Sequence, residues 1–197
     1  MAETRTVIVC SDCGAFWDPA AEGAACTDSS HEHHSRESHL HRTRVVMPDG
    51  MAVTAVSFGS DDPYARDVPP NFGLYLDERW RPPWPHELLD WPDFSVPDDS
   101  AVVVAALESL RHRARSGERV EIGCYGGHGR TGTALAGLAI LCGQAPDEAV
   151  SWVRATYCER AVETDEQEAF VRALAPSPPK ASDSLDRTFD PRLKCGR

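Results

Sequence analysis

Short apolar runs and longer helical periods alternate along this chain of 197 residues. Thr6-Val7-Ile8-Val9 reads as a strand near the start. Arg44-Val45-Val46-Met47 and Met51-Ala52-Val53-Thr54-Ala55-Val56 flank Pro48-Asp49-Gly50, which is the pattern of a hairpin. Gly73-Leu74-Tyr75-Leu76-Asp77 and Val120-Glu121-Ile122 predict two more strands. Between them, Asp98-Asp99-Ser100 caps a predicted helix over 102–115, with Ala105, Leu107 and Leu110 inward and Gly117 at its end. Three further helices are predicted near 131–143, 147–157 and 165–174, with Pro146 suited to the start of the second. Four prolines from Pro82 to Pro92 exclude a helix there. No internal repeat is visible. The tail over 176–197 is rich in Pro, Ser and charge, which predicts disorder.

The chemistry concentrates where the strand at 120–122 meets the helix near 131. The connection reads Gly123-Cys124-Tyr125-Gly126-Gly127-His128-Gly129-Arg130-Thr131-Gly132. Glycines let a backbone curl so that successive N–H groups aim at one centre. The helix start adds unpaired donors and the positive end of its dipole. Tyr125, Gly126, Gly127, His128, Gly129 and Arg130 would thus cradle a phosphate, and the Arg130 guanidinium can hold two of its oxygens. Cys124 lies in the same positive field and is expected to ionise readily, as a nucleophile must. Read alone, a cysteine and an arginine six positions apart also fit a buried thiol before a turn. The Gly-x-Gly-Arg-Thr-Gly context favours the anion loop.

This segment resembles the signature loop of cysteine-dependent protein tyrosine phosphatases, His-Cys-x-x-Gly-x-x-Arg-Ser/Thr. Cys124, Gly127, Arg130 and Thr131 fall on the pattern, while the histidine before the nucleophile is Gly123 here. Upstream, Trp91-Pro92-Asp93-Phe94-Ser95-Val96-Pro97 looks like the family's mobile acid loop. A carboxylic acid on a closing loop can protonate the leaving oxygen and then serve as base toward water. Downstream, Glu163-Thr164-Asp165-Glu166-Gln167 resembles the segment whose glutamine positions the hydrolytic water. Gln167 also fits a capping box with Thr164 at a helix start.

The resemblance implies an α/β fold, a tyrosine phosphatase-like central sheet with helices on both sides. It implies catalysis by Cys124, Arg130, Asp93, Thr131 and Gln167, with a phosphotyrosine protein as substrate and no cofactor in the chemistry. Thr131 would bond the sulfur and ease its departure. Two rivals stay open. One is the same chemistry on phosphoserine or phosphothreonine, an inositol phosphate or an RNA 5′ end. The other is a phosphate-binding module without turnover. Loop residues Tyr125 and His128, where inositol-phosphate enzymes of the superfamily often carry lysine, disfavour a highly charged substrate. Retention of Asp93 and Gln167 beside Cys124 and Arg130 disfavours a module without turnover.

The N-terminal cysteines read differently. Cys10-Ser11-Asp12-Cys13 is followed by Cys26 and, after the four residues Thr27-Asp28-Ser29-Ser30, His31. This Cys-x2-Cys, Cys-x4-His spacing predicts a structural zinc held by Cys10, Cys13, Cys26 and His31, with His33 and His34 as further candidates for the fourth place. A thiol redox pair is the competing reading. The segment between the knuckles has little else to hold it folded, and His39 and His41 read as surface residues, with a metal role as the alternative. The expected organisation is a zinc-ribbon-like element over 1–44, a catalytic domain over 45–175 and the tail over 176–197.

Composition narrows the setting. Net charge is −11, from 20 basic and 31 acidic residues, so a nucleic-acid partner is not expected. The longest apolar run, near Ala134 to Cys142, is too short for a bilayer span, and Met1-Ala2-Glu3-Thr4-Arg5-Thr6 does not read as a signal peptide. Seven cysteines, an odd number, argue against a disulfide framework, and Cys142 and Cys158 read as buried inert thiols. Together these predict a cytoplasmic enzyme with no membrane partner; oligomeric state does not follow from the sequence.

Overall fold

The computed structural model describes residues 4–10, 16–17, 26–39, 41–59 and 63–174. Cys13 and the tail from 175 onward lie outside the described residues.

Two sheets form. The first joins β1 (Thr4–Cys10), β2 (Phe16–Trp17) and β3 (His33–His39) in the order β2-β1-β3, all antiparallel. β1 and β3 run in register from Thr4↔His39 to Cys10↔His33. The segment near the cysteines therefore has backbone pairing of its own, which its polar sequence did not announce. His33 is exposed.

The second sheet holds β4 (Arg42–Val46), β5 (Ala52–Ser57), β6 (Phe72–Tyr75), β7 (His86–Leu88) and β8 (Val120–Cys124), in the order β4-β5-β8-β6-β7. β4 and β5 make the hairpin, turned by Gly50 at φ 88°, a conformation glycine adopts without strain. β5, β8, β6 and β7 are parallel neighbours. β8 lies at the centre of the sheet and reads as a continuously buried run, as parallel strands do.

The helices are α1 (Ser100–Arg115), α2 (Gly129–Leu141), α3 (Pro146–Thr156) and α4 (Asp165–Ala173). Asp99 caps α1 by accepting from the Ala101 amide at 2.9 Å. The inward stripe of α1 is Val103, Ala106, Leu107 and Leu110; Leu107 and Leu110 face inward as expected, and Ala106 rather than the exposed Ala105 joins them. α2 is buried on nearly every side, which suits its Ala- and Gly-rich sequence.

The four helices share one core with Val53, Ala55, Leu74 and Ile122 of the sheet. Each large apolar chain sealed there contributes roughly 1.5–3 kcal/mol. The expectation of helices on both sides is modified here. Val56 and Tyr75 belong to a separate aromatic cluster with Phe58, Trp80 and Trp84 from the irregular segment before β7. Glu121 is buried among polar partners: Arg66 grips it with Nε to Oε1 at 2.6 Å and NH2 to Oε2 at 3.0 Å, and the Tyr75 hydroxyl donates to it at 3.2 Å. The aromatic and proline-rich segment thus does the work of a helical layer on this side.

Candidate active site

The central strand β8 delivers Cys124 to the carboxyl edge of a parallel sheet, where α/β folds place their ligands. Gly127 takes φ 78°, which only glycine adopts freely, and this turns its amide back onto the sulfur. The Gly127 N–H donates to Cys124 Sγ at 3.2 Å and the Thr131 hydroxyl donates to it at 3.1 Å. α2 begins at Gly129, immediately after the turn, so the helix dipole points at the same place. Cys124 and Thr131 are buried.

Arg130 is held from four sides. One terminal nitrogen donates to the carbonyls of Leu76 at 3.0 Å and Trp91 at 3.3 Å. The other lies 3.2 Å from Asp77 and 3.1 Å from Asp93. Its buried Nε has no hydrogen-bond partner, so one donor of the guanidinium is left for a ligand. Asp77 is buried and also takes a two-point grip from Arg79, at 2.8 and 2.6 Å. Burial pushes the Asp77 carboxyl up, but the bonds from Arg79 and the charge of Arg130 outweigh it and hold the group below the usual range. The Arg79 guanidinium lies 4.8 Å from the ring centre of Tyr125, within cation–π range.

Asp93, on a loop reaching over the cradle, keeps 43% of its side chain exposed. The loop is anchored at Trp91, whose indole donates to the Ser95 carbonyl at 2.9 Å and meets Phe170 of α4 edge-on at 5.8 Å. Phe94 follows at φ 55°, a strained value for a bulky residue, which the flanking anchors hold in place. Gln167 is fully buried and its amide reaches the same Ser95 carbonyl at 3.4 Å. Its oxygen accepts from the Glu163 amide at 2.9 Å, while Thr164 caps the Gln167 amide at 3.2 Å. Capping therefore occurs together with placement beside the loop. A Cβ on Gly129 would come 2.5 Å from the Glu163 carboxylate and 3.1 Å from the Gln167 amide, so a side chain there would push the end of Gln167 from its place.

The structure thus brings Cys124, Arg130, Thr131, Asp93 and Gln167 to one locality. His128 lies behind the loop, where its Nε2 meets His41 Nε2 at 3.2 Å. His41, expected at the surface, is buried at 5% exposure because the loop and Tyr157 close over it. Asp77, Arg79, Ser95, His41 and Tyr157 were not singled out from sequence. Asp77 alone had a usable signal, an acidic residue at the carboxyl end of a predicted strand.

At the N-terminus, His31 Nδ1 lies 3.4 Å from Cys10 Sγ and 3.3 Å from Cys26 Sγ. Bond lengths of about 2.3 Å to sulfur and 2.0 Å to nitrogen put tetrahedral zinc ligands about 3.5 Å apart, so these three donors fit the ion. The other ring nitrogen of His31 faces Asp28 at 3.5 Å, the arrangement that orients a ligating imidazole.

Fold and site together are those of a phosphate-handling α/β protein. Residues 86–183 match the family described as PTP-SAK, Swiss Army Knife protein, DSP-PTPase phosphatase domain. Two uncharacterised proteins of Methanocaldococcus jannaschii are 38% and 37% identical over 111 residues, half of this chain and 71% and 66% of their own lengths. The crystal structure of Tk-PTP in its active form superposes with a TM-score of 0.53 at 27% identity, covering 66% of this chain and 95% of that one. Kinase associated phosphatase with its catalytic-site cysteine replaced by serine matches at a TM-score of 0.53 and 16% identity, over 67% of this chain and 92% of that one, a likeness of fold. Through residues 86–183 the chain belongs to the cysteine-dependent protein tyrosine phosphatase family and is a phosphatase of that type. Among the described residues no helix is long and apolar enough to cross a membrane.

Proposed function

We propose that this enzyme removes phosphate from phosphotyrosine in proteins through a cysteinyl-phosphate intermediate, with 45–175 as its catalytic domain. The observation that carries the reading is the pair of donors on Cys124 Sγ, from Gly127 and Thr131, at the start of α2. Both donors and the start of α2 converge on the sulfur, the setting of a nucleophile aimed at a phosphate ester. The sulfur attacks phosphorus and the ester P–O bond breaks. Asp93 gives its proton to the departing oxygen, and a tyrosine product leaves. Loop amides from Tyr125 to Arg130 and the free Nε of Arg130 receive the equatorial oxygens, where charge spreads in the transition state.

In the second step Asp93 takes a proton from water held by Gln167. The water oxygen bonds to phosphorus, the S–P bond breaks, and Thr131 steadies the returning thiolate. Inorganic phosphate leaves with Cys124 and Asp93 restored. The steps need no metal or cofactor, since the protein groups supply each proton and charge. Asp93 sits on Arg130 in the free enzyme, so an arriving dianion competes with it for the same guanidinium.

We further propose a structural zinc on Cys10, Cys13, Cys26 and His31 that closes the N-terminal element, supported by the donor distances and the Asp28 contact. The enzyme is proposed to act in the cytoplasm on phosphorylated protein, without nucleic-acid or membrane partners.

The test is a substrate panel of phosphotyrosine, phosphoserine and inositol phosphates, combined with acid quenching to trap phosphate on Cys124. The highest kcat/KM is expected on phosphotyrosine peptides, with label on the cysteine. A preference for inositol phosphates, or quenched enzyme free of label during rapid turnover, would reject the proposal.

A further inference from the structure

Behind the phosphate loop lies a group of side chains that the proposed chemistry does not use. His41 and His128 point their Nε2 atoms at each other across 3.2 Å, and Cys158 brings a sulfur so that one ligand atom from each of the three lies within 4.8 Å of the others. All three are buried. They come from three separate places: just before β4, inside the loop, and just after α3.

From this cluster we propose a second metal site, specific for zinc or a similar borderline-soft divalent ion, bound by His41, His128 and Cys158 directly behind the phosphate loop. The donor types are those zinc selects, two imidazoles and a thiolate. The 3.2 Å between the imidazole nitrogens matches the edge of about 3.3 Å that two nitrogen ligands span on a tetrahedral zinc. The Cys158 sulfur lies within 4.8 Å of both histidine ligand atoms, a third donor beside the two imidazoles. A shared proton between the two rings is the competing account of the 3.2 Å distance.

The surroundings connect the site to the loop. A Cβ on Gly127 would lie 2.9 Å from the His41 ring, so the ring forms the wall behind that glycine. The Tyr157 hydroxyl donates to the Gly127 carbonyl at 2.5 Å, and its ring lies 4.6 Å from His41. An ion held here would tie two other chain segments to the loop and place positive charge beneath the anion cradle.

The experiment counts metal on the full chain and does not read turnover, so it stands apart from the phosphatase assay. Wild type, Cys158→Ser and His41→Gln are equilibrated with zinc, dialysed and analysed for bound metal; cobalt(II) serves as the spectroscopic probe. Each variant is expected to hold one equivalent fewer than wild type, whatever the N-terminal site contributes. Zinc is expected to raise the wild-type melting temperature by about 2–4 °C or more over the chelated protein, and by less in either variant. If one variant fails to fold with chelator present, the other carries the comparison. Equal metal content in wild type and the folded variants would overturn the proposal, as would a cobalt spectrum unchanged by Cys158→Ser.

Discussion

Gly123 and Val56 approach too closely for a side chain at position 123. A Cβ there would lie 2.4 Å from the Val56 carbonyl oxygen and 2.6 Å from its Cγ2. The two residues are direct partners across the β5–β8 pairing, so neither backbone can withdraw without breaking the sheet. This explains in steric terms why the histidine of the family pattern is absent before Cys124. Gly123→Ala or Gly123→His is expected to destabilise the fold by about 1–3 kcal/mol, the usual cost of overpacking. Urea unfolding measures it. A Gly123→His protein with the wild-type midpoint and higher turnover would show that the position is open after all.

Cys124→Ser is expected to abolish turnover, by about a thousandfold or more, while phosphate still binds. The Gly127 amide, the Thr131 hydroxyl and Arg130 remain to hold the anion. Calorimetric titration with phosphate and a rate assay check the two halves separately. A serine variant that kept most of its activity would reject covalent catalysis.

Asp77→Asn tests a residue that positions Arg130. Asp77 is buried, and its carboxylate contacts Arg130 at 3.2 Å as well as the mostly exposed Arg79. Solvent screens the Arg79 side, so the stabilising part comes chiefly from Arg130 and should amount to about 1.5–3 kcal/mol. The folded carboxyl lies below its unfolded value of about 3.9. Its contribution is therefore complete above about pH 4 and is lost as pH falls through the lower folded value. The variant should lose that acid-side dependence of stability. Its kcat/KM should fall about tenfold, mainly through KM, because Arg130 loses one of its anchors. Unchanged KM together with unchanged acid denaturation would remove Asp77 from this role.

The phosphate loop was legible because its chemistry is local: strand, glycines, arginine and helix start follow one another within a dozen residues. The acid segment and Gln167 carried their own patterns, and their meeting at the Ser95 carbonyl needed only the family's order. What escaped was non-local. His41 gives no sign in sequence of its burial against His128 and Tyr157, more than 80 positions away. β3 escaped because His33–His39 is polar throughout, so backbone pairing with β1 rather than apolar alternation makes it a strand. β7 is short and follows three prolines, and Glu121 looked like an ordinary strand residue until Arg66 closed on it. Cys142 is buried as its helical position suggested, and burial and the Asp49 carboxylate push it up to about 11.

The N-terminal zinc gives a separate prediction. Cys26→Ser should lower bound zinc by one equivalent and loosen β1–β3, because metal affinity at such a site is folding free energy. Asp28→Ala should weaken the same site about 10- to 100-fold, since Asp28 orients the far nitrogen of His31. Elemental analysis and competition with a chromophoric chelator read both. Protein purified without chelator and free of stoichiometric metal would rule the site out.

Asp93→Ala is expected to slow turnover about a hundred- to ten-thousandfold, the usual worth of general acid catalysis, with substrate affinity largely kept. The motivation is the 3.1 Å contact between Asp93 and Arg130 above the cradle, on a loop anchored by Trp91 and Gln167. The loss should depend on the leaving group. An aryl ester of an acidic phenol departs without much help, whereas the tyrosine of a peptide needs its oxygen protonated. The variant should also bind substrate without turning it over, which capture of intact phosphopeptide would reveal. If Asp93→Ala kept wild-type turnover on a phosphotyrosine peptide, the proton must come from elsewhere, with Asp90, Asp98 and Asp99 as the next residues to change.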